Sequence, residues 1–313
     1  MASYIVRRLL LGIIVLFLVT IIIFLLIQII PGDPAITMLG PQASKEQLED
    51  MRKQLWLDRS LPVQYEHWLS GALHFRFGTS IYHENIATAI ITRLPITLYY
   101  SLIALVLGSL LGITAGIICA VKRGSFLDSL ITFFANFGIS VPVFWLGALG
   151  IYYFGLKLTW LPIQGYTSPF DNFWLSIKHA IMPIICLAIP AVAALARQTR
   201  SSMLEVLRRD YIRTARSKGL LEKIVITKHA LKNALIPVVT LLGLQLGFLF
   251  GGSVLVERVF NIPGMGRFLV QGATNKDVPV VQACTLVIAL AVVLVNLAVD
   301  ISYGWFDPRI HYD

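Results

Sequence analysis

The chain is 313 residues long, 57% hydrophobic and only 14% charged, with a mean hydropathy of +0.75, which excludes a soluble globular domain and marks an integral membrane protein. Its formal charge of +9 would suggest nucleic acid in a soluble protein, but here the distribution of that charge along the chain decides its meaning. Cys119, Cys186 and Cys284 fall in or at the ends of apolar runs without the paired spacing of a zinc site or redox dithiol, so they read as packing residues.

The first apolar run, residues 9–30, follows Arg7 and Arg8 and holds 22 residues without a charge. A helix crosses the hydrocarbon core in about 20 residues. The run is too long for a signal-peptide core, and Pro31-Gly32-Asp33-Pro34 is not a small-residue cleavage site, so it reads as a retained span.

Residues 31–95 form an extracytoplasmic insert. Ser44 and Gln47 make a capping box that opens a short helix, with Leu48, Met51 and Leu55 on one face and a Glu49 to Lys53 pair on another. Pro62 suits the start of a second helix carrying Tyr65, Trp68 and Leu69. The insert is expected to fold as a small cap at the membrane interface. His67, His74 and His83 lie within it, but their loose spacing and the absence of cysteine argue against a metal site.

Further spans are expected at 96–121, 130–155, 181–196, 238–256 and 281–303, giving six in all, with a tail at 304–313. The fold class is therefore an all-α integral membrane protein. Gly108, Gly112 and Gly116 form one strip of small residues, and Gly243, Gly247 and Gly251 another, as closely packed helices require. Asn136, Gln245, Gly247 and Gly251 fit either tight packing or the lining of a pathway. Pro142, Pro183 and Pro190 interrupt the third and fourth spans.

Gln28, Asn136, Gln245 and Asn296 are the main polar residues within the spans, with Asp300 near the end of the last. Ion-driven carriers place ionisable groups at membrane depth, so the energy source is expected to lie on another protein. No glycine-rich phosphate loop ending in Gly-Lys-Ser or Gly-Lys-Thr occurs, nor a nucleophile elbow or zinc-protease helix, and the chain reads as non-catalytic.

The strongly cationic segment from Met203 to Pro237 is too polar to enter a bilayer. Leu204, Leu207, Tyr211 and Ala215 recur at helical spacing and predict one apolar face, with Arg208, Arg209, Arg213 and Arg216 around it. Arg216 and Lys218 before Gly219 mark a helix end, and a second helix is expected beyond. Ala215 and Gly219 leave a spot without bulk where a partner backbone could approach. Composition alone fits an ordinary solvated loop equally well. The side of the membrane holding this segment carries 15 Lys and Arg against 7 Asp and Glu, and the other side 11 against 10, so the segment and both termini are assigned to the cytoplasm.

Arg213-Thr214-Ala215, three residues, then Gly219 resembles the coupling loop of ABC importer permeases. The longer strings Asp210 to Gly219 and His229 to Pro237 resemble the dipeptide, oligopeptide, glutathione and nickel branch of that family. Arg213 stands where many members have Glu, and Lys232 where many have Pro; both are usual in this branch. Phe75-Arg76-Phe77-Gly78-Thr79-Ser80, the loop from Glu257 to Gly266, and the ending Phe306-Asp307-Pro308-Arg309 resemble the same branch.

The resemblance implies a type I importer fold with a permease core at 96–303, and a coupling loop at 201–236 that engages an ATPase through Tyr211, Arg213, Thr214, Ala215, Gly219 and Leu220. It implies an external gate at Glu257, Phe260, Pro263, Gly264 and Met265. A second permease subunit, two ATP-binding subunits holding the ATP and Mg, an extracytoplasmic substrate-binding protein and membrane lipid would be the partners, in a bacterial inner membrane and without nucleic acid or any cofactor on this chain. The expected cargo is a short peptide or glutathione; a nickel or other metal chelate, and a stand-alone carrier, are the alternatives. The Phe260 and Met265 pair around a Pro-Gly turn fits a short re-entrant element at a channel mouth or a turn at the lipid interface.

Overall fold

The computed structural model describes residues 2–29, 33–40 and 42–306. The tail motif from Asp307 onward and the Pro31-Gly32 pair lie outside the described residues. Every regular element among them is helical, and the one β feature is an isolated bridge between Thr79 and Asn85. Five helices are long and apolar enough to cross a membrane, and the bent pair Phe126–Ser140 and Val143–Lys157 makes a sixth if it is one span.

The chain divides into two compact units, one built on Val6–Thr97 and Pro263–Leu294, the other on Leu98–Ile262. In the first, the insert folds as its sequence dictates. After α1 (Ala2–Ile29), Asp33 caps α2 (Pro34–Leu39) by accepting the Ala35 N–H at 2.9 Å, and it also receives the Arg52 guanidinium Nε at 2.8 Å. The Ser44 and Gln47 capping box forms in full at the start of α3 (Lys45–Gln54), with bonds of 3.2 and 2.9 Å. Lys53, expected to pair with Glu49, lies 3.7 Å from Asp50 one turn back instead, a weak exposed contact. Pro62 sits in the first turn of α4 (Leu61–Leu73).

Helix α4 packs on the C-terminal end of α1 through a stripe at intervals of four residues. Thr20 shares a 2.7 Å hydrogen bond with the Tyr65 hydroxyl, Phe24 meets the rings of Tyr65 and Trp68 at 5.4 and 6.2 Å, and Gln28 donates to Gln64 at 3.5 Å. The three histidines do not converge: His67 stacks on Trp56 at 4.2 Å, His74 bonds the Ser70 carbonyl, and no His, Cys, Asp and Glu grouping that could hold a metal ion occurs among the described residues.

The core of this unit joins Ile86, Ala89 and Ile90 of α5 (Ile86–Val121) to Met265 and Phe268 of α12 (Met265–Thr274) and to Val280, Ala283 and Cys284 of α13 (Val278–Phe306). Asp277, almost wholly buried, accepts the Ile81 N–H at 2.8 Å and the Val280 N–H at 3.3 Å, so one carboxyl fixes a loop and caps a helix. Burial pushes this carboxyl above the ordinary carboxylate range, the two backbone donors acting in the opposite sense.

In the second unit α8 (Phe173–Val206) is the central rod: 61% of its most apolar window is buried. It continues without a break through Pro183 and Pro190 and extends well beyond the 181–196 span read from hydropathy. The glycine strip of α5 lies directly against it. A Cβ on Gly108 would come within 2.9 Å of Ala191, one on Gly112 within 2.8 Å of the Val192 carbonyl, and one on Gly116 within 2.6 Å of the Ala196 carbonyl.

The span expected at 130–155 is not one straight helix. Helices α6 (Phe126–Ser140) and α7 (Val143–Gly150, continued by a π-helical stretch Ile151–Lys157) meet at an angle of 102°. Pro142 stands at the break. A proline both lacks the N–H that would continue the ladder and drives the preceding Val141 into the extended conformation found there, so the helix ends rather than kinks.

Candidate functional site

The cationic segment does not form the single helix from Leu204 to Gly219 that its periodicity predicts. Helix α8 ends at Val206, the chain turns through Leu207 to Arg209, and α9 (Asp210–Ser217) begins afresh. The reason is tertiary. Ile212 and Ala215 of α9 turn inward onto Met203, Val206, Ala120, Val225, Ala230 and Ala234, and a continuous helix would carry them away from that core. Of the predicted apolar line, Ala215 is buried and Leu204 and Leu207 pack against the same core, while Tyr211 is 40% exposed and the unpredicted Ile212 is buried in its stead.

After α9 the chain reverses at Gly219, whose φ of +75° belongs to the left-handed region that glycine enters without strain. Arg216 then grips Glu222 with two bonds of 2.6 and 3.1 Å, tying α9 to the short helix α10 (Glu222–Ile224) across the turn. A π-helical stretch, Val225–Ala230, leads into α11 (Leu231–Val259). The Tyr211 hydroxyl accepts the Asn233 amide at 2.9 Å, so α9 is fastened to α11 as well as to α8. The elbow is thus a small rigid body rooted in two long helices.

Its outer surface is apolar at the tip and cationic at the sides. Leu221 is 72% exposed, with Leu220, Ile224 and Tyr211 also exposed, and nothing lies within 4 Å of the position a Cβ would take on Gly219. Arg213 is solvated beside Asp210 at 3.6 Å, while Thr214 spends its hydroxyl on the Asp210 carbonyl at 3.1 Å. Ala215 faces the chain's own core and so leaves no gap on the outside; the open spot belongs to Gly219 alone. Leu221 and Ile224 escaped sequence reasoning, although a Leu-Leu pair after the glycine of a charged loop is an apolar tip without a core of its own.

A second connection was not legible. Asp128, at the start of α6, is buried and receives Arg200 of α8 in a two-pronged pair of 2.8 and 2.9 Å, with the Gly124 N–H at 3.0 Å on the same carboxylate. Both residues fall just outside the spans expected from hydropathy, at 130–155 and 181–196.

The residues of the expected external gate are distributed between two cores. Glu257, Phe260 and Ile262 are buried in the second unit, where the Phe260 carbonyl accepts the Gly165 N–H at 2.8 Å. Pro263 is exposed, Gly264 precedes α12, and Met265 is fully buried in the first unit, donating its N–H to Thr97 Oγ1 at 2.9 Å. Among the pathway candidates Asn136 and Gly251 are exposed, Gln245 and Gly247 half-buried, and nothing lies within 4 Å of a Cβ position on Gly251.

A family model described as the binding-protein-dependent transport system inner membrane component matches residues 112–312, and the N-terminal model of such membrane components matches residues 1–101. Similar proteins include a probable peptide ABC transporter permease protein of Sinorhizobium fredii, 41% identical over 313 residues, and a dipeptide transport system permease protein of Alkalihalophilus pseudofirmus, 42% identical over 333, each match covering 100% of both chains. A glutathione transport system permease protein of Escherichia coli (strain K12) is 43% identical over 313 residues, again with 100% of both chains covered. Two inward-facing structures of the MetNI methionine ABC transporter match 70% of this chain and 96% of theirs, with TM-scores of 0.56 and 0.58 at 20% and 19% identity, a likeness of fold.

Proposed function

The chain belongs to the family of binding-protein-dependent transport system inner membrane components, multi-pass permease subunits that are not themselves catalytic, and on that premise we propose that it forms half of the pathway of an ATP-driven importer of short peptides. The family implies ATPase and binding-protein partners in general. In the reading offered here a second, similar permease completes the pore, two ATP-hydrolysing subunits sit beneath it, and six spans of the type I importer arrangement place both termini in the cytoplasm, as the excess of positive charge on that side supports.

The cargo class follows from what the similar proteins are named for: peptides, dipeptides and glutathione share amide-linked backbones ending in a carboxylate. Coupling runs through the elbow. ATP binding draws the two ATPases together, the cleft of one moves the tip formed by Gly219, Leu220 and Leu221, and the fastening of α9 to α8 and α11 carries the displacement into the spans.

The observation that carries this reading is the exposed apolar tip on a rigid, doubly rooted elbow. A single cysteine at Leu221, in a cysteine-free background, should crosslink to an ATPase subunit in the assembled complex with a yield that changes when ATP is bound. Crosslinking to lipid or water-soluble reagents alone, unaffected by nucleotide, is the opposite result and removes the docking role.

A further inference from the structure

In the first unit the insert, the end of α1 and the turn before α13 border a half-open cavity of about 930 Å³ that no transport step described above uses, within the size range of small-molecule sites. Its wall holds Arg76, Lys276, His67, His74 and His83, and among the described residues no Asp or Glu lines it. The side chains of Arg76 and Lys276 form no ion pair among the described residues, whereas the nearby Arg52 and Arg93 have carboxylate partners in Asp33 and Glu84. Two exposed cations on the wall of one concavity without counter-charge favour an anion there.

The other wall is apolar, with Phe24, Met51, Leu55 and Trp68, and its depth is fixed by α1. The apolar window of α1 runs Val6–Leu26, so Phe24 lies in its last turn and Gln28, also in the wall, just past its end. That is the level of the lipid headgroups, where tryptophan is enriched. A water-soluble anion has no use for this apolar wall, and a flat protein surface would not enter a concavity.

We propose that this cavity binds the phosphate headgroup of an anionic phospholipid, with Arg76 and Lys276 on the phosphate and the upper acyl chain against Phe24 and Trp68. The site is a structural lipid clamp: it holds the insert on the outer leaflet, since α4 is otherwise attached to α1 by one narrow stripe.

The test is native mass spectrometry of the assembled complex released from vesicles of equal phosphatidylglycerol and phosphatidylcholine. The wild type should retain phosphatidylglycerol in preference, and Arg76→Gln with Lys276→Gln should reduce that retention about tenfold, as loss of charge-assisted bonds implies. Arg76→Lys with Lys276→Arg should restore it, which separates lost charge from lost folding. Equal retention of both lipids, or no change in the double glutamine variant, overturns the proposal. Displacement of the lipid preference by millimolar inorganic phosphate overturns the lipid assignment in favour of a free anion, and a crosslink from position 76 to the binding protein that excludes lipid assigns the cavity to protein docking.

Discussion

Asp128 and Arg200, 72 positions apart, meet in a two-pronged ion pair of 2.8 and 2.9 Å that joins the start of α6 to the C-terminal third of α8. The Asp128 side chain is 7% exposed and that of Arg200 33%, so the pair is dry on one side only. Asp128→Ala strands a guanidinium among apolar neighbours and is expected to cost on the order of 2–3 kcal/mol, below the value for a fully buried pair because Arg200 is partly screened by solvent. The double variant Asp128→Ala with Arg200→Met should be less destabilised than Asp128→Ala alone. Thermal unfolding in detergent reads both, and additivity of the two single changes would show that the pair does not act as a unit.

Gly116, on the seam between α5 and α8, and Gly251, in α11, predict opposite outcomes. Gly116→Ala places a methyl 2.6 Å from the Ala196 carbonyl and 2.5 Å from Thr199 Cβ, neither of which is a flexible side-chain end, and should destabilise by about 1–3 kcal/mol. Gly251→Ala meets nothing within 4 Å and should be neutral or slightly stabilising in the isolated chain. Melting temperatures of the two variants, measured side by side, check the contrast. If Gly251→Ala lowers transport while leaving stability intact, that glycine faces a partner or the pathway.

At the elbow, Gly219→Asp should insert and fold, since the position has open space around it, yet uncouple ATP hydrolysis from uptake by placing a charged branch at the tip. Gly219→Asn tolerates the same positive φ without the charge and should retain more activity. Leu221→Ser, at a side chain 72% exposed, should leave stability within about 0.5 kcal/mol and weaken co-purification of the ATPase subunits. Uptake into vesicles and subunit recovery after washing are the measurements. Wild-type uptake by Gly219→Asp, with positions 213 and 219 open to labelling in the assembled complex, would end the docking reading.

Asp277 sets a pH dependence of defined sign. Its carboxyl is raised by burial in the folded unit, so folding favours the protonated form. The stabilisation from this preference is complete below the unfolded carboxylate value and is lost as pH rises through the higher folded one. Ile81 and Val280 use different oxygens of Asp277, so Asp277→Asn keeps an acceptor for only one of the two N–H groups; it should lower stability yet flatten that dependence, as amide hydrogen exchange at Ile81 across acidic pH would record.

Local chemistry was the legible part. The Ser44 and Gln47 box, Pro62 in a first turn, and Gly219 as a left-handed terminator are each decided by a few neighbouring residues, and sequence alone found them. Hydropathy found the apolar runs but misjudged their extent, because α8 goes on as a helix beyond the expected 181–196 span, through Arg197 and Arg200 and on to Val206, inside the expected 201–236 loop. The break between α8 and α9 lacks Gly or Pro to announce it. It follows from where Ile212 must be buried, a fact of packing with Val225 and Ala234 and not of its own neighbours. The pairing of Asp128 with Arg200 was hidden for the same reason: 72 positions separate the two, and nothing beside either one names the other.

The continuity of α8 has a mechanical consequence. Its 34 residues make a rod about 50 Å long at 1.5 Å per residue, anchored near one end by the capping Asn172 and holding the elbow at the other. Pro183 and Pro190 each remove one rung of the internal ladder, so the carbonyls of His179 and Cys186 have no donor within the helix. A push on the C-terminal end is thus transmitted stiffly as far as these two missing rungs, and there it can be turned into a change of direction.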